Sequence, residues 1–196
     1  INETGSSTVI VEVENHVPTN YAILLTDVLT VTTSTFSIQA TMFKAGVAIY
    51  LDMVTGTASA DSIVSLMGTM EEADGIGVVV SESVLINFET TGTVFSPPLF
   101  SGDTSGVVFD EGTGSGTEID SCSITGRLLE LENRSNNLEA FVVTLCNNMV
   151  ITACEFYGEV TGDGFGPEVI TGIDLDASIT THDEIMVHMD LQCQSS

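Results

Sequence analysis

The chain has 196 residues, 28 of them acidic and only 3 basic (Lys44, Arg127 and Arg134), for a formal charge of −25. Yet 43% of it is hydrophobic and its mean hydropathy is +0.34, which excludes a disordered acidic tail. The lack of a basic patch excludes nucleic acid as a direct partner and argues against an anionic membrane surface. Self-repulsion calls for relief by high salt, low pH or bound divalent cations. No apolar run reaches 18 residues, so no membrane span is expected.

The chain begins at Ile1 rather than Met, so either a leader has been removed or the sequence is trimmed; the first alternative points to export. Residues 1–14 form an N-terminal lead with an alternating strand at 8–14. Val9, Val11 and Val13 share one face of it. Phe36, Ile38, Ala40 and Met42 share a face of the next strand. Lys44-Ala45-Gly46 then reads as a hairpin turn, after which Val47, Ile49, Leu51 and Met53 resume the period of two. Residues 57–73 fit either a short helix, through Ile63, Met67 and Met70, or a strand. Val84, Ile86 and Phe88 fall on one face of a strand, with Leu85, Asn87 and Glu89 opposite.

The stretch 90–118 is rich in glycine and proline and reads as a long surface loop, interrupted by a short edge strand at Val107-Val108-Phe109. Beyond it, the segments 139–146 and 149–157 flank Asn147-Asn148, a hairpin signal. A last strand at 184–193 places Ile185, Val187, Met189, Leu191 and Cys193 on one side. No repeat of fixed period is visible. Eight to eleven short alternating strands predict an all-β chain: a two-layer antiparallel sandwich, jelly-roll-like, with residues 15–196 as one domain and an extended N-terminal strand.

Cys122, Cys146, Cys154 and Cys193 have no zinc-finger spacing. In an exported chain they read as disulfides of undetermined pairing, with a direct 146–154 bridge disfavoured by the hairpin geometry. Asn2 and Asn133 sit in N-glycosylation acceptor patterns. Asp74, Asp110, Glu111, Asp163, Asp174 and Asp176 lie in or near glycine-rich turns or as a close pair. They are the candidate ligands for a structural calcium ion; their scatter also fits a solvated acidic face. His182 and His188 match no strand spacing for zinc. No serine or cysteine nucleophile motif is present, and with no Trp the aromatic lining of a sugar-cleaving cleft is thin.

The chain is therefore expected to be no enzyme. It is expected to be an extracellular or cell-surface structural subunit, partnered with copies of itself. In that reading residues 8–14 complete the open sheet of a neighbour and build a filament. The alternatives are a monomeric secreted module binding a cation or carbohydrate, and a virion or surface-layer protein.

Overall fold

A computed structural model describes residues 2–3, 8–16, 20–31, 35–44, 46–59, 62–71, 75–95, 104–110, 117–132, 138–144, 149–163, 170–175, 179–183 and 186–194. Among these residues every regular element is a strand. A half-coil holds β1 (Asn2–Glu3) and β2 (Thr8–Asn15). The first full coil holds β3 (Tyr21–Val31) and β4 (Thr35–Met42), and the second β5 (Gly46–Ala58) and β6 (Ile63–Glu71). The third holds β7 (Gly75–Ser81), β8 (Val84–Ile86) and β9 (Phe88–Phe95). The fourth holds β10 (Thr104–Asp110), β11 (Glu118–Asp120) and β12 (Ser123–Glu132). The fifth holds β13 (Leu138–Thr144), β14 (Met149–Thr152) and β15 (Glu155–Asp163), and the sixth β16 (Ile170–Leu175), β17 (Ile179–Asp183) and β18 (Met186–Gln194).

All described strand pairings are parallel, which overturns the antiparallel sandwich. The seven-stranded sheet runs β18-β15-β12-β9-β6-β4-β2, so each strand lies beside its counterpart one coil earlier. The other sheet has 11 strands and is curled. The first half of β5 pairs with β7 and its second half with β8, and the sheet turns a corner between them. The chain is thus a stacked parallel coil, each turn contributing one rung to every wall. Burial alternates along β4 as the sequence pattern predicts, and along β6 and β9, but the partner of each strand lies a full coil away in sequence. The expected hairpins are therefore absent: β4 and β5 belong to different sheets, and β13 and β14 pair with β10 and β11. Residues 63–71 are a strand, and β10 is a central strand between β7 and β13.

The interior follows from this stacking. In the seven-stranded sheet the alternate residues Phe36, Ile38, Ala40 and Met42 are buried, as are Val64, Leu66, Gly68 and Met70 one rung on. Phe88, Thr90, Gly92 and Val94 repeat the pattern, and Cys122, Ile124, Gly126 and Leu128 repeat it again. Register places these residues in straight columns. Fully burying one large apolar side chain contributes roughly 1.5–3 kcal/mol, and every rung supplies several.

Two columns hold only small residues through most of the stack. Ala40, Gly68, Gly92, Gly126 and Gly158 align in the seven-stranded sheet. Opposite them, Ala22, Ala48, Gly77, Gly106, Ala140 and Gly172 occupy the same rung position in the curled sheet. At this waist the two backbones meet. A Cβ on Gly92 would collide with the Gly106 carbonyl oxygen, and one on Gly77 would come within 2.7 Å of Gly92 Cα.

The corners are made by residues with positive φ. Asp27 (φ 74), Met53 (φ 53) and Glu82 (φ 45) bend the chain within the curled sheet. Asn87 (φ 60), Ser121 (φ 54) and Ala153 (φ 49) turn it from there into the seven-stranded sheet. The bends at Met53, Glu82, Asn87 and Ser121 reset the inward parity. Thus Met53 is exposed while Val54 is buried, and Leu85 and Phe88 are both buried across Asn87, against the simple alternation expected there.

Candidate functional site

The outward residues of the seven-stranded sheet form columns as regular as those inside. Ser37, Ser65, Glu89 and Ser123 make one, Gln39, Met67, Thr91 and Thr125 the next, and Thr41, Thr69, Thr93 and Arg127 the third. All twelve are at least partly solvent-exposed. Their side chains carry one negative and one positive charge, so this central field is formally neutral on a chain of charge −25, while Glu12 and Glu14 of β2 and Glu159 of β15 continue the same columns on either side. On the next rung Arg127 Nε lies 3.2 Å from Glu159 Oε2, although it is not aligned for a hydrogen bond. As a half-exposed pair it contributes about 0–1 kcal/mol.

At the edge of this face, where Asn87 and Ser121 turn the corner, lies a groove of about 170 Å³. Ser62, Asn87, Glu89, Ser121 and Ser123 form its polar rim, with Val64 and Phe88 in its floor. Asn87 Nδ2 donates to the Ala58 carbonyl oxygen at 2.8 Å and ties the rim to the previous rung. The Asn87 amide donates to the Asp120 carbonyl oxygen at 3.0 Å and ties it to the next.

Beneath the groove, Cys122 and Cys154 follow Phe36, Val64 and Phe88 in one interior column. They are buried thiols, which overturns the expected disulfide for both residues. The Cys122 amide points at Cys154 Sγ at 3.4 Å. Cys122 Sγ lies 3.2 Å from the Asp120 carbonyl oxygen and 3.4 Å from that of Leu85. Cys154 Sγ lies 3.6 Å from the carbonyl oxygen of Ile119. The hydrogen bond to Cys154, and then burial, push the Cys122 thiol far above its ordinary range.

Of the carboxylates proposed for calcium, Asp74, Glu111 and Asp176 lie outside the described residues. The described backbones of Asp110, Asp163 and Asp174 fall on β10, β15 and β16, in three different columns. Among the described residues no group of three His, Cys, Asp or Glu is placed to hold a metal. No carboxylate whose side chain is described is buried. Cys146 and Asn133 lie outside the described residues, as do the side chains of Asn2 and Cys193. Among the described residues no helix is long and apolar enough to cross a membrane.

Val9, Val11 and Val13 pair in register with Phe36, Ile38 and Ala40 of their own chain. β2 is thus the end strand of its own sheet, which overturns its expected role as a strand given to a neighbour. No family model, curated protein or solved structure matches this chain. Neither the expected filament nor the alternatives named beside it gain support.

The feature that sequence reasoning missed is the coil itself, with the face and groove that it builds. Its signal is a pair of linked patterns. One is a small residue followed by two alternating apolar positions: YAILL, VAIYL, IGVVV, SGVVF, EAFVV and TGIDL. The other places apolar residues at positions one, three and seven and usually a small residue at five: FSIQATM, VSLMGTM, CSITGRL and CEFYGEV, with Thr90 interrupting FETTGTV.

Proposed function

We propose that this chain is a non-catalytic docking scaffold, whose neutral central field on the outer face of the seven-stranded sheet, flanked by carboxylates, seats a basic partner protein. The observation that carries the reading is that neutral field, mostly serine and threonine with Gln39, Met67 and the opposite charges of Glu89 and Arg127, on a chain of charge −25. The surrounding carboxylates attract a cationic partner at long range and raise its rate of encounter. The neutral face then supplies contact area without stripping water from unpaired charge, which would oppose binding. The stacked rungs hold that area rigid, so little conformational entropy is lost on docking. The corner groove accepts a side chain projecting from the partner.

The test is binding to a set of basic, neutral and acidic globular proteins over a range of salt concentrations. The expected result is selective binding of basic members. Their association rate falls with salt, and their affinity is lost when Thr69→Asp and Thr93→Asp are combined. Equal binding by that variant would show charge attraction without a seat and would overturn the reading.

A further inference from the structure

We propose that Cys122 and Cys154 form a two-thiol site for a soft, two-coordinate metal ion of the cuprous class. The site stands on geometry that the docking reading does not use. The two cysteines occupy equivalent positions on adjacent rungs, immediately before Ser123 and Glu155, which pair in register. Neighbouring parallel strands lie about 4.8 Å apart. A linear S–metal–S unit with bonds of about 2.3 Å spans nearly the same distance. The ion bridges two rungs along the stacking direction and replaces the hydrogen bond between the two thiols, the sulfurs moving apart by side-chain rotation to admit it.

The chemistry of the surroundings selects the ion. Thiolates prefer soft metals, and among the described residues no group of three His, Cys, Asp or Glu is placed to hold a harder cation. Beside the sulfurs lie the carbonyl oxygens of Leu85, Asp120 and Ile119, at 3.4, 3.2 and 3.6 Å. They cannot complete the four-ligand thiolate or imidazole shell of a structural zinc. Burial favours a complex with no net charge. A monovalent ion meets this by displacing one proton: the M⁺ ion bonds to both sulfurs, one a thiolate and the other still a thiol, and one H⁺ leaves to solvent. No electron is transferred. The released proton makes binding tighter at higher pH.

The experiment uses the full chain carrying Cys146→Ser and Cys193→Ser, which removes the other two thiols. Cuprous ion is titrated anaerobically against a chromophoric chelator, and thermal unfolding is followed with and without the ion. The expected result is one ion per chain and a higher melting temperature with metal. Cys122→Ala or Cys154→Ala weakens binding by more than the roughly 10–100-fold that loss of an outer-shell partner causes. Retained β circular dichroism shows that each variant is folded. If either variant is too unstable, mercuric ion added to the parent chain reports the same site by its thiolate absorption band. A parent chain that fails to compete with the chelator and shows no such band would falsify the site. So would full binding by a folded Cys122→Ala chain.

Discussion

Gly92 marks the limit of what a single side chain can do in this molecule. Its missing Cβ is the space through which the Gly106 carbonyl approaches, and backbone cannot step aside as a flexible side chain can. Gly92→Ala is therefore expected to destabilise the fold by about 1–3 kcal/mol or more, measured by urea unfolding. Thr90, one rung position away, makes the opposite case. Its hydroxyl is buried without a hydrogen-bond partner, in register with Leu66 and Ile124. Thr90→Val removes that penalty and should raise stability by about 1–3 kcal/mol in the same assay. The Cys122 thiol links residue chemistry to pH. Below its ordinary value of 9.0 both the folded and the unfolded chain keep the proton, so pH has no effect through this group. Above it the unfolded thiol ionises while the folded one stays protonated. Stability then falls as pH rises, by up to about 1.4 kcal/mol per unit for this group. Unfolding at pH 8 and pH 10 checks this: the drop should be smaller in Cys122→Ala.

At the scale of elements, the corners decide both stability and how much could be read from sequence. Asn87 tolerates positive φ and its side chain holds the Ala58 carbonyl. Asn87→Ala loses both advantages and should cost about 1–2 kcal/mol. Ala153→Gly, at the equivalent corner one rung beyond Ser121, should stabilise, because glycine meets no steric penalty there. Strand character and inward faces were legible wherever alternation ran unbroken, as from Phe36 to Met42. The parity flips at Met53 and Asn87 were not, because nothing in a period of two announces a left-handed residue. The parallel pairing was hidden for a different reason. Gly68, Gly92, Gly126 and Gly158 are 24, 34 and 32 residues apart, since the segments joining the walls vary in length. A search for a fixed period passes over such a coil, whereas an aligned comparison of the seven-residue patterns finds it. The face and groove could not be located from sequence at all, since both arise when rungs far apart in the chain are stacked.

At the scale of the whole molecule, burial and charge act separately. Apolar and small side chains fill the interior, and the described carboxylates stay at the surface. A charge of −25 then opposes compaction at low ionic strength. Raising salt from about 0.01 M to about 0.1 M shortens the screening length from about 30 Å to about 10 Å, so the melting temperature should rise over that range. The scaffold, the neutral face and the thiol pair all rest on which strands are neighbours. Backbone nuclear Overhauser contacts in the labelled protein report this most directly. The coil predicts contacts that join Gly68 to Gly92, Gly92 to Gly126 and Gly126 to Gly158, with registers that ascend together along each pair of strands. Contacts that instead join β4 to β5, or β13 to β14, with one register ascending as the other descends, would contradict it.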